Sequence, residues 1–335
     1  MARPVIASLR SSVEAFIDAL DQFLEGLGAV RPGLLALALF AFVVYLTFRA
    51  RAFFHVLRAA YPAERIPFRR IWGAYIAAYG FNNIIPARGG DVVKLFLTKT
   101  SVPHATYPAV GAAFVVEVIF DAVMGACILA FAFSQGVFPK PPDFARIPAF
   151  DLQLFAAHPE FALFVLTAAA VLALVAFALL SRRVRAFWAR VRQGVTILGD
   201  RRRYLREVFA VQLAGWCFRF LAFWLLLEAF RVGGSVRNVL LVLGINAVAA
   251  VVPFTPGGAG VQQALIVRVF AGTASGATVA AYSVGQQIAI AVTTLGVGFL
   301  ALVVIFRIRS FGEVVRLGRE ERASEKGKVG ARAAS

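Results

Sequence analysis

Residues 282–306 form a run of 25 positions without one charged side chain, and residues 161–181 form another. A helix needs about 20 consecutive apolar residues to cross the ~30 Å hydrocarbon core of a bilayer. A helix that is apolar all round must be buried on every side, in a large core or in lipid. Composition favours lipid: 60% of the 335 residues are hydrophobic and 16% are charged, against about 45–50% and 25% in soluble domains. The expected fold class is therefore an all-α integral membrane protein, a polytopic helix bundle.

Further stretches fit that class. Residues 33–48 follow Pro32 without a charge and end in an arginine cluster. Residues 105–135 are long enough to span but contain Glu117 and Asp121, and residues 207–230 contain Arg219. Residues 71–87 are apolar but short, with Gly80, Asn82, Asn83 and Pro86. Residues 238–267 are uncharged but broken by Pro253, Pro256 and the glycines from Gly257 onward. At the N-terminus, Leu9, Val13, Phe16, Leu20, Phe23 and Leu27 recur at helical spacing among four acidic residues. Residues 1–31 thus read as an amphipathic helix, lying at the interface or against the bundle, or else simply facing water.

The net charge of +17 would suggest nucleic acid in a soluble protein. In a membrane protein it reads as loop lysine and arginine held on the cytoplasmic side. Segment 49–70 has six arginines, segment 182–206 has nine, and the basic tail 307–335 has eight lysines or arginines. Segment 136–160 has only Lys140 and Arg146. With the basic segments and the C-terminus inside and 136–160 outside, neither 71–87 nor 238–267 can cross once. Each is expected to enter and return as a re-entrant hairpin lining a cavity.

These two broken segments also resemble each other. Placing Gly90 on Gly260 sets Glu117 opposite Gln287, giving repeat halves of about 33–135 and 204–306 joined by the linking span 161–181. The halves would enter from opposite faces, and an inverted repeat with paired broken helices marks the binding site of many transporters.

In the first broken segment, Pro86 frees a carbonyl while Gly89 and Gly90 expose N–H groups where a helix begins. Arg88 lies in the turn and Lys94 one helical turn on. Together they suit a phosphate or carboxylate, though Arg88 could also simply snorkel to the headgroups. The second segment, with Pro253, Pro256, Gly257, Gly258 and Gly260, offers backbone donors without a cation. Gln262 follows it as a polar cavity lining. Small residues there could equally serve helix packing alone.

Glu117 and Asp121 are four apart and share a helix face. A carboxylate or guanidinium at the bilayer centre costs about 2.5–3.5 kcal/mol on insertion scales, so such groups face protein or water. Two arrangements stay open. Arg219 pairs with one of these carboxylates, or it holds a phosphate while they take a proton or a headgroup amine. The two cysteines, Cys127 and Cys217, sit in apolar surroundings, and with no His/Cys/Asp cluster, nucleophile elbow or Walker lysine the sequence implies no metal, cofactor or ATP-driven step.

At these residues the chain resembles the lysylphosphatidylglycerol synthase transmembrane-region family, also described as the flippase-like domain. The run from Asn82 and Asn83 through Pro86, Arg88, Gly89, Gly90 and Asp91 to Lys94 is similar to the family's Asn-x-x-Pro-x-Arg-x-Gly signature and its continuation. Glu117 with Asp121 resembles its downstream acidic pair, and Pro253 to Gly260 its late Pro- and Gly-rich stretch. The resemblance implies a stand-alone member, with residues 32–306 as the flippase-like transmembrane domain. It does not bring lysyl-lipid synthesis with it, because nothing after residue 306 is long enough for the soluble aminoacyl-transfer domain. The acidic N-terminal helix also departs from the additional apolar span expected there.

The function expected is binding and transbilayer movement of an anionic phospholipid or lipid-linked precursor in a bacterial cytoplasmic membrane. Its partners would be anionic membrane lipids, and lipid or glycan biosynthetic enzymes beside which other members stand, with no nucleic acid. Arg88, Lys94 and Arg219, with Asn82, Asn83, Gly89 and Gly90, would form the phosphate site. Two rivals stand: a membrane-embedded lipid-phosphate phosphatase or headgroup transferase, and an accessory scaffold for lipid or glycan biosynthesis.

Overall fold

The structure, a computed structural model, describes residues 28–83, 89–135, 181–249 and 261–307. The amphipathic helix expected over 1–31, the linking span 161–181 and the basic tail therefore lie essentially outside the described residues. Among those described, all regular secondary structure is helical.

Helix α1, Pro32–Ala60, opens with proline at its first turn, where the missing N–H costs nothing. Two short helices follow, α2 (Phe68–Asn82) and α3 (Gly90–Ser101), then the long α4 (Tyr107–Ser134). Helix α5 (Ser181–Gly194) leads into α6, Arg201–Ala229, which contains a π-helical turn at Leu205–Phe209. Asp200 caps α6 by accepting from the Arg203 N–H at 3.0 Å, satisfying one of the free donors of a helix start. Two more short helices, α7 (Val236–Ala249) and α8 (Val261–Val269), precede α9 (Gly276–Ala301), which Ser275 caps and which runs on through a π turn to Phe306.

Four helices, α1, α4, α6 and α9, are long and apolar enough to cross a membrane. Two are inner and two outer: 39% of the apolar window of α1 and of α6 is buried, against 22% for α4 and for α9. The outer helices turn Val115, Val118, Ile119 and Val123, and Ile288, Val292, Phe299 and Leu300, outward. Such contiguous apolar faces belong in lipid.

Helices α1 and α6 pack antiparallel along their length. The Arg31 N–H donates to the Ala229 carbonyl at 3.0 Å at one end, Phe42 meets Phe223 further along, and Phe48 stacks on Phe218. Helix α9 lies on α2, and α4 on α7. The α2–α9 approach is close: a Cβ on Gly80 would sit 2.7 Å from the Thr294 carbonyl, and one on Gly298 3.0 Å from the Ala77 Cα. Helices α2 and α3 pack on each other, as do α7 and α8.

The structure differs from the sequence reading at the end of α1. The sequence ends the first uncharged run at residue 48 and puts Arg49 in a basic cytoplasmic segment. The helix instead continues to Ala60, and Arg49 is buried. The reason is a set of tertiary partners that hold the guanidinium inside the bundle.

Candidate functional site

The long helix α4 supplies the acidic side of the site. Glu117 and Asp121, one turn apart, are each claimed by a different cation. Lys94, one turn into α3, places Nζ 2.6 Å from Glu117 Oε2. Both residues are buried, Glu117 at 3% exposure and Lys94 at 7%. Three rings box the ammonium: Phe53 of α1, Tyr75 of α2 and Phe114 of α4, with centroids 4.4, 4.2 and 4.1 Å away. Their negative faces replace part of the lost hydration, and the carboxylate supplies the countercharge that a buried ammonium needs.

Asp121 takes Arg49. Both guanidinium nitrogens reach the carboxylate, Nη1 to Oδ1 and Nη2 to Oδ2, the latter at 2.7 Å. This forked geometry is the strong form of the pair. Arg49 Nε also donates to the Tyr75 hydroxyl at 3.1 Å, and Nη1 to Gln212 Oε1 on α6 at 3.3 Å. Tyr75 therefore joins the two ion pairs, its ring facing Lys94 and its hydroxyl facing Arg49. The Asp121 side chain keeps 40% exposure where that of Arg49 keeps 8%, so the pair opens on the aspartate side.

Arg219 stands apart from both carboxylates. Its guanidinium lies over the Trp216 ring at 4.7 Å and the Tyr45 ring at 5.5 Å, and it forms no ion pair among the described residues. Its buried Nε has no acceptor, and neither have Trp216 Nε1 and Gln212 Nε2. Residues 212, 216 and 219 follow the i, i+4, i+7 spacing of one helix face. The face thus presents three unused N–H donors, although buried donors are ordinarily satisfied.

The residues flanking the first turn are tied together. Asn82 Nδ2 donates to Asp91 Oδ1 at 3.1 Å, bridging the end of α2 to the start of α3. Asn83 Nδ2 donates to the Tyr79 carbonyl at 3.2 Å and to Thr294 Oγ1 of α9 at 3.1 Å. Gly89 precedes α3, and Gly90 abuts the Ala78 carbonyl and Asn82, where any side chain would collide. Pro86 and Arg88 lie outside the described residues. So do Pro253, Pro256, Gly257, Gly258 and Gly260. Beyond them, Gln262 is buried, and Gln263 Nε2 donates to Gln287 Oε1, joining α8 to α9.

The structure thus brings Lys94, Glu117 and Asp121 together and gives Arg219 separate surroundings. Sequence reading missed Arg49, Tyr75 and Gln212. The only local sign for Arg49 was an arginine directly following a long uncharged run, which ordinarily marks a membrane edge. Away from these charges, an apolar cleft of about 370 Å³ lies between α1, α2 and α9, lined by Thr47, Trp72, Val297 and Ala301, with Arg69 among its residues.

Fold and site define a multi-pass membrane protein in which Arg49, Lys94 and Glu117 are buried inside the bundle, away from the outward apolar faces. The profile of the lysylphosphatidylglycerol synthase TM region matches residues 11–298, and the chain belongs to that family. No curated protein and no solved structure gives a significant match.

Proposed function

We propose that the protein binds an anionic phospholipid or lipid-linked precursor and lets its headgroup cross the bilayer through the bundle while the acyl chains stay in lipid. The family to which the chain belongs supports a role with membrane lipids. The observation that carries the reading further is Arg219. A guanidinium well inside a membrane-spanning helix, with Glu117 and Asp121 already claimed by Lys94 and Arg49, is a cation awaiting an anion. Intramembrane ionisable groups are retained for such uses because their insertion is costly.

In this reading α2–α3 and α7–α8 are re-entrant hairpins. At ~1.5 Å per residue, a helix of 15 residues spans about 22 Å, short of the ~30 Å core, and the other three are shorter. The two halves form an inverted repeat. A shift of 170 residues, which lays Gly90 on Gly260 and Pro86 on Pro256, carries the starts of α1, α2, α3 and α4 to within about two residues of those of α6, α7, α8 and α9. Equivalent helices α1 and α6 run antiparallel, and α9 packs on α2 as α4 packs on α7.

The headgroup cavity lies between the hairpins. Arg219 holds the phosphate first, with Arg88 and Lys94 of the first hairpin as later ligands. Glu117, released when Lys94 turns to the phosphate, takes a cationic headgroup or a coupling proton, while Asp121 stays paired with Arg49. Gln262, Gln287 and the Pro253–Gly260 turn line the opposite side. The protein sits in a bacterial cytoplasmic membrane with its C-terminus inside, an orientation that the basic segments favour.

The test is flux of a fluorescent phosphatidylglycerol in proteoliposomes, read by quencher protection. Arg219→Gln is expected to slow protein-dependent flux at least tenfold without loss of folded protein. Equal flux in wild type and variant would remove the reading.

A further inference from the structure

The same shift of 170 residues that relates the hairpins has a consequence at the centre of the bundle. It lays Arg49 on Arg219, so the two buried-segment arginines occupy one position in the two halves. Their surroundings do not repeat. Asp121 falls on Ala291, Glu117 on Gln287 and Lys94 on Ala264. Where the first half joins its hairpin to its outer helix by the Lys94–Glu117 ion pair, the second half does so by the Gln263–Gln287 amide pair, one residue before the counterpart of Lys94. Where the first half closes its arginine with a carboxylate from α4, the second has a half-buried methyl group on α9. Helix α9 touches α6 and α4 touches α1, the first contact being the slighter, and the repeat gives Ala291 the position on α9 that Asp121 holds on α4.

We infer that Ala291 is the vacated carboxylate position of a second, anion-accepting site, and that the phosphodiester of a membrane lipid takes the place which Asp121 fills in the first half. This rests on the inverted-repeat reading above. Charge and donors agree. Asp121 and Glu117 match Arg49 and Lys94, and among the described residues nothing matches Arg219, so one monoanion completes the balance. Trp216 Nε1 and Arg219 Nε are buried donors without acceptors, and Gln212 Nε2 is a third along the same face. Phosphate oxygens accept from such N–H groups without any proton transfer. The Trp216 and Tyr45 rings flanking the guanidinium fix its plane, as stacked arginines are fixed elsewhere. Asp121 is then an internal stand-in for the ligand, and the two halves differ by which of them carries its own anion.

The test supplies the missing carboxylate. Ala291→Asp, Ala291→Asn and Arg219→Gln are compared with the wild-type chain for phosphatidylglycerol retained after release from mild detergent in a mass spectrometer, with diacylglycerol as the phosphate-free control. Ala291→Asp is expected to lower retention at least tenfold, as Arg219→Gln does, while Ala291→Asn stays within about threefold of wild type. Retention of phosphatidylglycerol by Ala291→Asp at the wild-type level would overturn the inference, and so would equal losses in the Asp and Asn variants. Should Ala291→Asp not fold, the proposal stands or falls on Arg219→Gln, which must lose the lipid, and on Asp121→Ala, which must not. Displacement of the lipid by millimolar inorganic phosphate would identify a free-anion site and also overturn the lipid assignment. Normal flux with loss of the Ala291→Asp effect would sink this inference while leaving the transport reading intact. No flux in the wild-type protein would sink the transport reading itself.

Discussion

Two arginines on the paired inner helices live in opposite circumstances. Arg49 of α1 is held by Asp121, Tyr75 and Gln212, with every interaction supplied from within the bundle. Arg219 of α6 rests on two aromatic faces and meets no carboxylate among the described residues. Burying a charge is costly unless it is paired, so the Arg49 network reads as a finished structural joint and the Arg219 face as an unfinished one. The difference teaches that intramembrane charge alone does not mark a ligand site. What marks it is charge whose partner the protein does not provide.

The comparison can be broken most forcefully at the paired charges of the first half, Lys94–Glu117 before Arg49–Asp121. Glu117→Ala would strand the Lys94 ammonium inside its aromatic box, and removing one member of a buried pair costs about 3–5 kcal/mol. A large fall in the thermal midpoint of the detergent-solubilised protein is expected, with much of it recovered in the Lys94→Met, Glu117→Leu double variant. An unchanged midpoint in Glu117→Ala would mean that the pair does not hold α3 to α4. Arg49→Gln should cost less, about 1.5–3 kcal/mol for lost charged hydrogen bonds, because Asp121 is partly open to its surroundings. At the unfinished face, Trp216→Phe keeps a ring beneath Arg219 but removes one donor. It should weaken lipid retention by a few-fold, in line with ~1 kcal/mol per hydrogen bond, and leave the midpoint unmoved.

The long spans were legible in the sequence because lipid imposes one requirement on length and one on charge. The stretch 105–135 appears as α4 over Tyr107–Ser134, and 282–306 lies within α9 and its π turn. The short helices were legible from the same rule in reverse, through Gly80, Pro86 and the residues after Pro253 in runs too short or too broken to cross. The pairing of charges was not legible. Arg49 and Asp121 are 72 positions apart, Lys94 and Glu117 are 23 apart, and four helices must assemble before either choice is made. Sequence alone grouped Glu117 and Asp121 with Arg219, the other cation set deep in a span. It set Arg49 aside, because a snorkelling arginine and a buried one follow an apolar run in the same way.

The most direct test of the account sets the two arginines side by side. Wild type, Arg49→Gln and Arg219→Gln would be purified in one mild detergent, and bound phosphatidylglycerol and thermal midpoint measured on the same samples. The account predicts that Arg219→Gln sheds the lipid at a near-native midpoint, while Arg49→Gln lowers the midpoint and keeps the lipid. Lipid retained by Arg219→Gln, or shed equally by both variants, would contradict it.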